Sequence, residues 1–216
     1  MIPKTIQQKL DEGRSYRAVA QIEIRAAGEG EEERMTVEGY ATTFDDPYVL
    51  WQEDGYTVKE QVARDAFNGA DMSDVIMQYD HEGRVFARTS NGTLTLAADD
   101  HGMKIVADLG GTELGRQLYE EIKGGYTNKM SFGFTVDADT REIHENHETG
   151  ETEILRTITA IRKLYDVSAV SLPANNATEI SARAYCEGVI AEAAEKRRAA
   201  AERENRKRKL RILMEV

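Results

Sequence analysis

A serine hydroxyl becomes a nucleophile at neutral pH when a base lies within hydrogen-bond reach and a third group fixes that base's tautomer. Four histidines are available as the base: His81, His101, His144 and His147. His101 sits in Asp-Asp-His-Gly between strand-like runs, which suits a surface turn. His144 and His147 flank Glu145 and Asn146 in a polar tip, where no third ligand has fitting spacing, so we expect a hydrated turn and no metal. His81 differs, because it follows the apolar run VIMQYD and precedes Glu82-Gly83, where a rigid element meets a loop. A loop histidine with no chemical part is the plainer reading of the same residues.

Ser131 lies in NKMSFGF, with Met130, Phe132 and Phe134 around it and Gly133 permitting close backbone approach. A hydroxyl in so apolar a strand needs a partner, either a backbone group or an imidazole such as that of His81. Periodicity and spacing leave both open. The single cysteine, Cys186, precludes an internal disulfide, points to a reducing compartment and has no histidine near it in sequence.

The elements that must position these groups can be read next. YRAVAQIEIR (16–25) and MTVEGYATTF (35–44) alternate as strands around the turn GEGEEER, a hairpin pattern that DDPY breaks. TVKEQVARDAFNG (57–69) predicts an extended entry and then a short helix stopped by Gly69. Residues 86–109 predict two or three antiparallel strands, with turns at Asn91-Gly92 and Asp99 to Gly102. TELGRQLYEEIKGG predicts a helix capped by Thr112, striped by Leu114, Leu118 and Ile122, and ended by Gly124-Gly125. Residues 129–143 and 154–172 predict two more strands around a polar tip, ended by Pro173. From about Glu179 the composition turns to Ala, Glu, Arg and Lys, a solvated helix.

The chain is 216 residues long, 40% hydrophobic and 31% charged, enough for one core under a polar surface. The expected division is a polar lead-in over 1–15, a body over 16–182 and a charged helical tail over 183–216. Ten Lys/Arg against seven Glu from residue 179 onward give +3, which leaves −14 of the total −11 on the rest. That balance excludes general nucleic-acid binding, which needs basic surface against phosphates. No apolar run is long enough for a membrane span, and the N-terminus lacks a signal-peptide core, so neither membrane insertion nor secretion is expected.

Several landmarks in order resemble the prohead protease family of tailed bacteriophages: VEGYATTFDD (37–46), ARDAF (63–67), QYDHEG (78–83), GMKIVADL (102–109), TNKMSFGF (127–134) and KLYDVSAVSLPANNATEI (163–180). Their specificity lies in the order, a histidine, then Ser-x-Gly-Phe fifty residues on, then D-V-S-x-V-S-x-P-A-N. The resemblance implies a fold similar to herpesvirus assemblin, mainly β with packed helices (α+β), an antiparallel barrel core and a C-terminal helical tail. It implies a serine endopeptidase with Ser131 as nucleophile, His81 as base and Asp166 as third member. Aspartate stands where glutamate is common in the family, and Asp80 and Asp137 are fallback carboxylates. It further implies cleavage of the major capsid protein's scaffold segment, and of the chain itself, inside the assembling prohead in the host cytoplasm. No cofactor is implied; the partners are the capsid protein and other copies of the chain. The competing expectation is a catalytically silent scaffolding protein of the same fold. Glycine-bearing loops such as Gly124-Gly125 are candidates for the oxyanion donors.

Overall fold

A computed structural model describes residues 4–25, 34–146, 148–171 and 176–214. Most of the 28–34 turn, His147 and Pro173 lie outside the described residues. In chain order the elements are α1 (Lys4–Asp11), β1 (Ser15–Ile24), β2 (Thr36–Thr43), β3 (Tyr48–Glu53), β4 (Tyr56–Val62), β5 (Ile76–Tyr79), β6 (Glu82–Arg88), β7 (Leu94–Ala98) and β8 (Gly102–Asp108). They continue with α2 (Glu113–Lys123), β9 (Lys129–Glu145), β10 (Thr152–Val170) and α3 (Asn176–Met214). The chain divides into two compact units, Met1–Ala182 and Arg183–Val216. The first is mostly β; the second is a helix whose side chains beyond Ala193 are exposed wherever they are described.

The strands form one sheet in the order β3-β4-β10-β9-β1-β2-β8-β7, with β5 also on β10 and β6 on β5. β10 organises it. Rich in Ile, Thr and Val, it lies antiparallel to β9 along its whole length. On its other side its first half pairs with β4 and its second half with β5, both in parallel. The antiparallel core implied by the resemblance is therefore corrected at these two pairings: the connections after β4 and β5 are long enough to cross over and return. The hydrogen-bonded path runs from β3 to β7 without closing, so strand pairing does not show the expected barrel.

Burial along the two long strands explains where a site can form. β10 alternates between buried and half-buried side chains near its start, as a strand with one covered face should. From Asp166 to Val170, and on β9 from Met130 to Thr135, every side chain is buried. Phe132, Phe134, Val167 and Ala169 fill the core on one face, together with Met77, Ile105 and Leu164. Ser131, Asp166 and Ser168 are buried on the other.

Three local expectations need correction. Residues 4–11 of the supposed lead-in form α1, a helix of only eight residues, too short for periodicity to announce it. Residues 63–70 form successive tight turns instead of a helix, with Ala66 and Phe67 buried by tertiary packing. On α2 the Thr112 cap holds, its Oγ accepting from the Gly115 amide at 3.0 Å. Leu114, however, remains 37% exposed, and the buried stripe is Leu118, Tyr119 and Ile122.

Candidate active site

The base candidate is presented by the tightest turn available. Tyr79 of β5 pairs with Glu82 of β6, so the hairpin loop is Asp80-His81 alone. Both residues have positive φ, 49° and 61°, the signature of a type I′ turn, which normally selects Asn-Gly. A histidine held there is strained, and surrounding contacts must hold it. Asp80 makes three hydrogen bonds: its carboxylate accepts from the amide and the hydroxyl of Ser171, both at 3.0 Å, and its own amide donates to the Ala169 carbonyl at 3.0 Å. Lys9 of α1 adds a fourth, its ammonium donating to the His81 carbonyl at 2.7 Å.

The sheet register supplies the other two groups. Across β9 and β10, Gly133 is paired with Asp166 and Ser131 with Ser168. Directly paired residues project on the same face, so one hydroxyl and one carboxylate share the face over which His81 folds. His81 Nε2 lies 2.6 Å from Ser131 Oγ, and His81 Nδ1 is hydrogen-bonded to Asp166 Oδ1. A neutral imidazole that accepts the serine proton at Nε2 must carry its own proton on Nδ1, which the carboxylate accepts. Ser131 and His81 are 0% exposed and Asp166 is buried with them.

Burial pushes the Asp166 carboxyl up, but the imidazole, the Ser168 hydroxyl and the Lys9 ammonium outweigh it and hold the group below the ordinary aspartate value. The Tyr16 ring lies 4.5 Å from the imidazole, centroid to centroid, as a tilted neighbour. Burial and the Asp166 charge push its phenol well above the usual tyrosine range, so it stays neutral.

The remaining sequence candidates fall elsewhere. Asp80 serves Ser171, as described, and exposed Asp137 pairs with Arg162 at 3.1 Å. His101 stands edge-on to Tyr40 at 4.6 Å in an exposed turn. His144 is exposed beside Glu142, and among the described residues no group of three His, Cys, Asp or Glu is placed to hold a metal. Cys186 is buried on α3. The amides of Gly124 and Gly125 donate to the carbonyls of Glu120 and Ile122, at 2.8 and 3.0 Å, so neither is free to receive an oxyanion.

Sequence reasoning missed three neighbours of the site: Tyr16, Lys9 and Ser168. Ser168 had a signal, since two residues apart on a strand share a face. It also left the role of Gly133 open. A Cβ there would press into the Asp166 carboxylate and come within 2.8 Å of Tyr16 Cε1, so the glycine makes the hollow in which the carboxylate sits.

Neither the curated proteins nor the solved structures contain a match to this chain. A family model does: that of the caudovirus prohead serine protease matches residues 20–189, a span that includes His81, Ser131, Gly133 and Asp166. The match covers most of the chain and agrees with a buried serine–histidine pair of the kind a serine protease requires; the chain belongs to the caudovirus prohead serine protease family.

Proposed function

We propose that Ser131, His81 and Asp166 are the nucleophile, base and orienting carboxylate of an endopeptidase. Its substrates would be the scaffold segment of the major capsid protein and the chain's own tail, cut during prohead maturation. The observation that carries this reading is the unbroken hydrogen-bond relay from Ser131 Oγ through the imidazole to Asp166. His81 Nε2 takes the serine proton as Oγ attacks the scissile carbonyl, and the imidazolium is stabilised by the adjoining carboxylate. The same proton passes to the leaving amine, and a water activated at Nε2 then releases the acyl group from Ser131.

The reacting side chains have no exposed surface, so a polypeptide must displace part of what covers them. The second unit suits a processed extension: α3 ends in the basic run 205–211, which favours approach to an acidic partner surface.

Co-expression of the chain with the major capsid protein of the same phage tests the reading. Shortening of the capsid protein is expected with the native chain and absent with Ser131→Ala. Equal shortening by both would end the assignment.

A further inference from the structure

Ser168 shares the site's face and has no part in the relay. Its side chain is fully buried, and its hydroxyl donates to Asp166 Oδ1 at 3.0 Å. Most buried serine hydroxyls satisfy themselves on backbone carbonyls; this one is directed at the oxygen that already accepts the His81 Nδ1 proton. The other carboxylate oxygen, Oδ2, lies nearest the hollow left by Gly133. One oxygen is thus held by two donors while its twin occupies a space that only glycine leaves open. Ser168 also stands directly across from Ser131 in the register, so the same strand pair fixes nucleophile and support.

We infer that Ser168 is a positioning residue for the reaction: its hydroxyl fixes the plane of the Asp166 carboxylate so that the imidazole stays aligned while it takes and returns the Ser131 proton. The inference rests on the triad reading above. Two donors on one carboxylate oxygen restrict rotation about the Cβ–Cγ bond, which a single bond to His81 leaves freer. Support of this kind acts through orientation, where small misplacements carry large rate penalties. The charged and titratable groups facing Asp166 are His81 from the β5–β6 turn, Tyr16 from β1 and Lys9 from α1. Only His81 among these shares a hydrogen bond with the oxygen that Ser168 holds.

The test uses the full chain and a fluorophosphonate, which reports nucleophilicity of the serine without a known substrate. Its inactivation rate is measured across pH for the native chain, Ser131→Ala, Ser168→Ala and Ser168→Cys, with thermal unfolding of each. Ser168→Ala is expected to react about 10- to 100-fold more slowly at neutral pH, the range for one hydrogen bond to a charged group. Loss of a donor leaves more negative charge on the carboxylate oxygen that faces the imidazole, so the acid limb, which belongs to the coupled imidazole–carboxylate pair, should move to higher pH. Ser168→Cys keeps the shape and a weaker donor, and is expected to fall between the two. Cysteine also keeps the test open should the alanine variant fold poorly. An unmoved acid limb and native rate in either folded variant would overturn the role of Ser168. So would equal slowing of both with an unmoved limb, which marks packing alone. Undiminished labelling of Ser131→Ala would instead overturn the triad.

Discussion

Tyr16 and Arg17, consecutive residues of β1, face two buried polar clusters of different chemistry. Tyr16 packs on His81 in the candidate active site. Arg17, on the opposite face of the strand, grips Glu60 of β4 through Nε at 2.5 Å and Nη2 at 3.0 Å. Glu60 also accepts from Tyr48 of β3 at 2.5 Å and from Arg156 of β10 at 2.8 Å. Arg156 turns its remaining donors to Asp139 of β9, at 2.6 and 2.8 Å. Two buried guanidinium groups thus meet two carboxylates, with Arg141 a further cation 3.7 Å from Asp139, and five strands meet at one point. Burial pushes Glu60 up, yet the two arginines outweigh it and bring its pKa down to about 2. The Glu60 carboxyl is thus held far below neutrality, and burial pushes the Tyr48 phenol that donates to it well above the usual tyrosine range, so this pair can hold strands but relays no proton. The other cluster contains an imidazole between a hydroxyl and a carboxylate, so a proton can travel. Buried charge alone therefore does not mark a site of chemistry; a titratable group between a donor and an acceptor does.

Substitutions in the two clusters should separate rate from stability. The largest effect is expected from Ser131→Ala or His81→Ala: turnover falling by roughly 10⁴- to 10⁶-fold, with thermal unfolding little changed in Ser131→Ala. Cleavage of capsid protein by the purified variants measures it. Asp166→Asn is expected to lose about 10⁴-fold through the wrong imidazole tautomer; a variant that kept native turnover would remove Asp166 from the site.

Glu60→Gln should show the reverse pattern. It leaves two buried guanidinium groups short of a counter-charge and should cost about 3–5 kcal/mol of stability in denaturant unfolding. Because the folded pKa of Glu60 lies below its ordinary value, its contribution is fully present above the unfolded carboxylate range. It is lost as pH falls from there toward about 2. Acid unfolding in that window should therefore weaken the native chain more than the Gln variant, and identical acid profiles would count against the network.

Gly133→Ala is the finest cut, since its methyl group enters the space of the Asp166 carboxylate. Turnover should drop about 100-fold from misplacement of the carboxylate, with secondary structure by circular dichroism retained. Native turnover in that variant would mean the hollow is not needed.

Much of this was legible in the sequence. The strands of the body, the capped helix α2 and the long α3 follow from alternation, a Thr112 cap and an Ala/Glu/Arg/Lys composition, all local properties. Ser131, His81 and Asp166 were singled out by family resemblance, joined to the strand-end setting of His81 and the apolar run around Ser131. What stayed hidden was relational. The parallel pairing of β10 with β4 and β5 could not be read, because the residues concerned are far apart in the chain and their own patterns do not record a partner's direction. The Arg17–Glu60–Arg156 network was hidden for a related reason: charged residues in half-buried strands read as solvent-facing until the strand crossing that buries them is known.

By itself the sequence determined residue types, local periods and the order of the landmarks, since these depend on neighbours a few positions apart. Only the tertiary structure decided that residues 81, 131 and 166 meet, because their contact depends on a two-residue turn at positive φ and on the register of two long strands. A slip of one residue in that register would turn Ser131 toward the core and Phe132 toward His81.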